Sequence, residues 1–480
     1  MLPQLGDMRL NRSSSWKCLH RAGAIAALAL SGCNTLPVIT PDLARVDPAG
    51  VQFQAANGRI LSPERSKELI GKLGGADSSD VLARHLAIEQ AVADGPLVLG
   101  NSVVILEDGP NTYAAMFGAI AGARDSINME TYILEDDEVG MRLADALIAK
   151  QQQGVQVNLI HDAVGTLGTK KEYFQRLSDA GINVLEFNPV NPLVAKAGWA
   201  VNKRDHRKLL VVDGRSAVLG GINISSVYSS SAPGSSGGST SGGSRGGDNK
   251  SLPWRDTDLL IEGPVVAPLQ KLFMETWHAQ KGSALAPRDY FPPLQARGQE
   301  VVRAIGSTPD EPFSQIYVTL ISAINSAESE ILVTNAYFVP DPQLMQALID
   351  AAARGVDVKL ILPSTTDSSL VFHAGRAHYE PLLRGGVKLY ERREALLHAK
   401  TAVIDGVWAT VGSTNLDWRS FLHNQELTAV ILGQEFGAKM RAAFERDLAV
   451  SDPVTLEAWQ RRPVTTRAKE MFARLWEYWL

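Results

Sequence analysis

Two stretches, "DHRKLLVVDG" at 205–214 and "LHAKTAVIDG" at 397–406, carry one trio of residue types: histidine, a lysine two positions on, and an aspartate five beyond the lysine. Each trio is followed by an asparagine set behind small residues, Asn223 in "GGIN" and Asn415 in "GSTN". Alternate residues of an extended segment share a face, so a strand reading places His206 beside Lys208 and His398 beside Lys400. An ammonium repels metal cations and is not among their usual ligands, which argues against a metal centre and for an anion. Lysine attracts phosphate, and an asparagine amide can donate to phosphoryl oxygens. A neutral imidazole is a competent nucleophile when a carboxylate holds its other nitrogen. Asp256 in "WRDTDLLIEG" and Glu426 in "NQELTAVILG" each stand seven residues before a glycine. They are expected to accept a hydrogen bond from a histidine Nδ1 across a joint site. Asp213 and Asp405 belong to the same catalytic set, with bracing of the motif loops as their expected part.

The elements that must position these residues repeat as well. His206, Asp213 and Asn223 recur as His398, Asp405 and Asn415 at one offset of 192 residues, which marks an internal duplication. Short apolar runs such as "GVQVNLI" and "GVDVKLI" alternate with amphipathic stretches such as "MRLADALIAKQQQ" and "QLMQALIDAAAR". That alternation predicts layered α/β halves, packed about a pseudo-two-fold axis so that equivalent motifs face each other. The expected divisions are an export signal at 1–32, a tether and helical extension at 33–96, lobes at 97–290 and 291–450, and an amphipathic C-terminal helix at 451–480. The Gly/Ser-rich run at 229–250 has almost nothing to bury and reads as a flexible surface insertion.

The N-terminus has an address of its own. Arg9, Arg12, Lys17 and Arg21 precede the apolar run "AGAIAALAL" and then "SGC", a run too short to span a bilayer. The ending resembles the lipobox of bacterial lipoproteins, which implies lipidation of Cys33, a membrane anchor and a periplasm-facing place in the cell envelope. The only cysteines are Cys18 and Cys33, so cleavage before Cys33 leaves no disulfide and no thiolate zinc site. Losing residues 1–32 removes four Lys/Arg and one Asp and moves the formal charge from −5 to −8. Nucleic acid is not an expected partner of so acidic a chain.

At the trios and the segments "ETYILEDDEVG", "YFVPD", "WRDTDLLIEGP" and "LLHAKTAVIDGVWATVGSTNLDWRSFLHNQE", the chain resembles the phospholipase D superfamily, and within it the bacterial cardiolipin synthases. The likeness runs from about residue 97 to about residue 450. It implies two duplicated phospholipase D-like lobes and a metal-independent, cofactor-free displacement through a phosphohistidine. By motif match His206 is the nucleophile and His398 the acid/base, with Lys208, Lys400, Asn223 and Asn415 on the phosphoryl oxygens. The implied substrate is a membrane phospholipid and the acceptor a polyol or second phospholipid. Rival readings are hydrolysis of the same lipids, a nucleic-acid phosphodiesterase, and an inactive lipid-binding scaffold. Family members often carry histidine where Asp258 stands, a departure of this chain beside Asp256.

Other residues read more plainly. His161, His373, His378 and His423 are expected to be packing residues, and Asp136–Glu138 a solvated turn, whereas Glu130 and Tyr132 could line the pocket. The C-terminal "TTRAKEMFARLWEYWL" suits either a membrane surface or a closing helix.

Overall fold

The computed structural model describes residues 36–37, 50–93, 95–191, 200–233, 235 and 252–480, and all elements below lie in the compact unit Val38–Leu480. Cys18, Cys33 and most of the Gly/Ser-rich run fall outside the described residues.

The strands form two sets of one design. Lobe 1 contains β1 (Leu97–Glu107), β2 (Ser126–Thr131), β3 (Gln156–Asp162), β4 (Asn183–Phe187), β5 (Leu209–Val212), β6 (Ser216–Gly220) and β7 (Thr257–Glu262). Side by side they run β4-β3-β2-β5-β6-β7-β1, with β2, β3 and β4 parallel and the other neighbours antiparallel. Lobe 2 contains β8 (Glu300–Ser307), β9 (Glu330–Asn335), β10 (Asp357–Pro363), β11 (Lys388–Arg392), β12 (Lys400–Ile404), β13 (Trp408–Gly412) and β14 (Asn424–Leu432). Their order is β11-β10-β9-β12-β13-β14-β8, with the same directions. The equivalent outer strands β1 and β8 pair antiparallel, Val98 with Val302 and Leu99 with Val301, so the two sheets join edge to edge.

Helices cover both faces, which is why the strands read as apolar runs; every residue of β14 is buried. In chain order the helices used here are α1 (Pro63–Val92), α2 (Asp108–Gly122), α3 (Glu138–Gln152), α4 (Val266–Ala279), α5 (Gln315–Ser326), α6 (Pro342–Ala353), α7 (Gln434–Ala449) and α8 (Val464–Arg474). The i, i+3, i+4 pattern buries Leu143, Ala144 and Leu147 of α3, and Leu344, Ala347, Leu348 and Ala351 of α6. Phe273 and Trp277 of α4 join Phe436 and Phe444 of α7 in a core that takes Leu209 and Val211 from lobe 1 and Val403 and Val411 from lobe 2. One hydrophobic core therefore spans both lobes.

The helical extension expected within 33–96 is one long element, α1, interrupted at Gly75, whose φ of 65 leaves the helical region. This extension is part of lobe 2's packing. His85 Nε2 meets Asp405 Oδ2 at 2.9 Å, and Glu89 accepts from Trp408 Nε1 at 2.7 Å and from Arg303.

Both motif strands end in an Asp-Gly hairpin. Asp213 and Gly214 have φ of 53 and 61, and Asp405 and Gly406 have φ of 51 and 65. Positive φ at both central positions is the type I′ turn that Asp-Gly favours, and its twist matches that of the flanking strands. The C-terminal helix α8 buries Glu470 and Ala473 and leaves Met471 and Phe472 mostly exposed, so one face packs and the other does not.

Candidate active site

The histidines are placed by strand pairing between the lobes. Arg204–Asp205 pairs in parallel with Asn424–Gln425 at the start of β14, and His206 N donates to Gln425 O at 2.9 Å. That register sets Glu426 beside His206, whose Nδ1 lies 3.1 Å from Glu426 Oε1. The arrangement recurs in the other direction. Leu396–Leu397 pairs in parallel with Trp254–Arg255, His398 N donates to Arg255 O at 2.7 Å, and His398 Nδ1 lies 2.7 Å from Asp256 Oδ2. Each imidazole thus meets a carboxylate from the opposite lobe. His206–Lys208 and His398–Ala399 lie in extended segments just before β5 and β12 rather than within those ladders; the cross-lobe bonds hold them there instead.

Both histidines line one cavity of about 390 Å³, together with Asn223, Asn415, Tyr132, Tyr228, Trp254 and Tyr337. Tyr132 stands edge-on to His206 with ring centroids 5.1 Å apart. Trp254, Tyr228 and Tyr337 pack around His398 at 5.3, 5.9 and 6.1 Å. Lys208 Nζ donates to His206 O at 2.6 Å and stands 5.3 Å from the Tyr132 ring centroid. Lys400 Nζ makes the equivalent bond to His398 O. Asn223 Oδ1 accepts from Ile133 N, and its Nδ2 donates to Tyr228 Oη. Asn415 N donates to Ser420 Oγ.

Burial dominates the electrostatics. It pushes His206 down to about 4, aided by Lys208 and opposed by Glu426, and lowers His398, aided by Lys400 and opposed by Asp256. Burial lowers Lys208 to about 7 and lowers Lys400 as well. Glu426 stays below the usual carboxylate range although burial opposes this, because His206, Lys208 and the Ser413 hydroxyl all favour its anion. Both imidazoles are therefore neutral before substrate arrives, and an incoming phosphodiester anion would favour protonating one of them. Asp258, the other acid of "WRDTD", is raised to about 8 by burial and by Asp256. Its Oδ1 accepts from Gly221 N and Ile222 N.

The small residues before each asparagine have a steric reason. A Cβ on Gly221 would come within 2.4 Å of an Asp256 carboxylate oxygen. Its counterpart Ser413 instead turns its hydroxyl onto Glu426. The motif aspartates lie away from the cavity. Asp213 accepts from the backbone N–H groups of Arg124, Asp125 and Ser126, and Asp405 from Glu328, Ser329 and Glu330 in addition to its contact with His85. Expected from the sequence as bracing members of the catalytic set, both sit at the hairpin turns and hold the starts of β2 and β9.

Of the other histidines, His161 stacks on Phe174, His378 pairs with Glu477 and His423 packs on Tyr478 and Trp479. None of these lines the cavity, nor does His373. Glu130 is fully buried with Arg207 and Asp205 as its charged neighbours, so only Tyr132 of that pair reaches the pocket. Sequence reasoning missed Tyr228, Trp254, Asp417, Arg419, Ser420 and Asn424, all of which line it. The signal was available for some: Trp254 and Asn424 each stand two residues before an orienting acid. Among the described residues no group of three or more His, Cys, Asp or Glu side chains is placed to hold a metal ion.

Residues 116–230 and 320–448 match the family model "Cardiolipin synthase, PLD-like domain". The chain is similar to the cardiolipin synthase of Geobacillus sp. (strain WCH70), 34% identical over 393 residues that cover 81% of this chain and 74% of that protein. It is also similar to that of Alkalihalophilus pseudofirmus, 32% identical over 427 residues, 88% of this chain and 79% of that protein. The fold is similar to the crystal structure of the phosphatidylserine synthase of Haemophilus influenzae Rd KW20, with a TM-score of 0.61 at 13% identity, covering 83% of this chain and all of that one.

Proposed function

The chain belongs to the cardiolipin synthase family of phospholipase D-like proteins, and from that premise we propose that it transfers phosphatidyl groups between membrane phospholipids, with phosphatidylglycerol as donor and acceptor and cardiolipin as product. The observation that carries the reading is the pair of cross-lobe imidazole–carboxylate contacts on a single cavity. One imidazole Nε2 attacks phosphorus, the P–O bond to the headgroup alcohol breaks, and the other histidine, as imidazolium, protonates the leaving oxygen. In the second half the acceptor hydroxyl gives its proton to that histidine, its oxygen bonds to phosphorus, and the P–N bond breaks. Glu426 and Asp256 fix the Nδ1–H tautomer and steady the imidazolium. Lys208, Lys400, Asn223 and Asn415 stabilise charge that builds on the phosphoryl oxygens.

The membrane reading rests on the basic and apolar N-terminus ending at Cys33. Lipidation there would hold the enzyme at a periplasm-facing membrane. Among the described residues no helix is long and apolar enough to cross one.

The test is to incubate purified protein with phosphatidylglycerol vesicles, with and without EDTA, and follow the lipids by mass spectrometry. Cardiolipin and glycerol are expected in both arms and from neither in His398→Ala. No lipid product, or strict dependence on a divalent ion, rejects the reading.

A further inference from the structure

The two lobes match at every residue of the phosphate machinery and differ on the walls around it. By the offset of 192, Asp417, Arg419 and Ser420 correspond to Ser225, Val227 and Tyr228; Asn424 and Trp254 each stand two residues before an orienting acid. The wall from lobe 1 that lines the cavity is aromatic, Tyr228 and Trp254 packed on His398. At the corresponding places lobe 2 presents polar side chains, Asp417, Arg419, Ser420 and Asn424, while Tyr337 and Val371 line the cavity elsewhere. A duplicated pocket that kept both histidine centres but diverged in this way has two unlike substrate ends.

Hydrogen bonding on the polar wall defines what it takes. Asn424 is buried to all but 6% of its surface, and its Nδ2 donates to Glu426 Oε1 at 3.2 Å. That bond fixes the amide orientation and leaves Asn424 Oδ1 buried with no hydrogen-bond partner. Asp417, 4% exposed, accepts from Ser420 N at 2.7 Å and is raised to about 7, chiefly by burial. A buried carbonyl oxygen without a donor is costly and is relieved by a ligand that brings one. Ammonium and hydroxyl groups both bring hydrogens. Arg419 sets a guanidinium beside the Asp417 and Asp367 carboxylates on this wall, and a polyol brings neutral hydroxyls that need no countercharge there.

We propose that Asp417, Ser420 and Asn424 form the subsite for the polyol end of the substrate, binding the glycerol that leaves the donor and the glycerol hydroxyl that enters from the acceptor. This rests on the phosphatidyl-transfer reading. Entering and leaving alcohols share one place because the two half-reactions retrace one path. The subsite connects to His206 through Asn424 and Glu426. His206 is therefore the imidazole that gives its proton to the departing oxygen and takes it from the entering one, and His398 forms the P–N bond. Motif order alone suggested the opposite assignment.

The experiment supplies phosphatidylglycerol in detergent micelles with deuterated glycerol or ethanolamine as acceptor, and measures labelled phosphatidyl product against phosphatidic acid from water. Wild type is expected to use glycerol in preference to ethanolamine. Asn424→Ala and Asp417→Asn, the latter keeping a helix-capping side chain, should each lower the ratio of glycerol transfer to hydrolysis about tenfold, the effect of one lost hydrogen bond. Loss of both products with the ratio unchanged shows a structural role and overturns the subsite. If Asp417→Asn does not fold, the Asn424→Ala ratio decides. A wild type that transfers while both variants keep its ratio rejects the subsite alone. A wild type that yields only phosphatidic acid at molar glycerol rejects the transfer reading with it.

Discussion

Glu426 and His206 are 220 residues apart in the chain, and the bond between them shows what spacing alone could convey. Residue types and local intervals marked both histidines, both lysines, both asparagines and both acids, because a His-x-Lys pair on an extended segment and an acid at a fixed distance from a strand-ending glycine are local patterns. That the acids cross between lobes to steady the histidines was foreseen only as a joint site. Of the aromatic and polar walls only Trp254 and Asn424 had a local signal, their place two residues before an acid; Tyr228 and Asp417 acquire meaning only when lobe-to-lobe pairing brings them to one cavity. The role assignment is testable at this scale. A phosphodiester with a p-nitrophenyl leaving group needs no proton to depart, so His206→Ala should release a stoichiometric burst of p-nitrophenol and retain a phosphohistidine on His398, whereas His398→Ala should give no burst. The reverse pattern, read by stopped-flow absorbance, returns the nucleophile to His206.

At the scale of elements, the aspartates of the trios act through turns. Asp213 and Asp405 hold equivalent type I′ hairpins and collect backbone N–H groups from the loops entering β2 and β9. They differ in one partner: Asp405 also meets His85, buried with it. Asp405 is held below the usual carboxylate range; burial opposes this, but His85 and the Ser329 hydrogen bonds outweigh it. A carboxyl depressed on folding contributes stability that is present above the unfolded carboxyl pKa and lost as pH falls through the folded value. Asp405→Asn should therefore destabilise the protein by about 2–4 kcal/mol at neutral pH, more than Asp213→Asn, from charged hydrogen bonds weakened and an imidazole stranded. The check is urea unfolding of both variants at pH 7 and pH 3.5. Equal losses for the two, or an Asp405→Asn effect that does not shrink at the lower pH, would contradict the bracing role. An N-terminal helix as the partner of a motif aspartate was invisible in sequence, where this segment read only as a helical extension.

For the whole molecule, the duplication and the alternation of apolar and amphipathic runs conveyed the α/β class, since both follow from the period of the side chains. The edge-to-edge joining of β1 with β8 was not conveyed, because nothing local in either strand names its partner. Shared burial also sets the response to acid. His161 and His206, in different parts of lobe 1, are both lowered to about 4, chiefly by burial. The unfolded chain binds those protons first, near pH 6.5, so stability is complete above that value, declines as pH falls toward 4, and levels off below it. Each buried histidine contributes a slope of about 1.4 kcal/mol per pH unit within that window. Thermal unfolding followed between pH 4 and pH 7 should show the decline, and His161→Gln should remove part of it. A profile flat over that interval would refute the account.

The crossed pairing of histidine and acid reaches beyond one reaction. Because each half of the chain carries the other's orienting carboxylate, the halves are not interchangeable parts. A chimera that took residues 97–290 from one relative and 291–450 from another would combine imidazoles and acids of different ancestry. Its activity would be governed by how well two strangers fit at Arg204–Asn424 and Trp254–Leu396. Fusion of the duplicated unit thus ties the inheritance of each lobe to that of its twin.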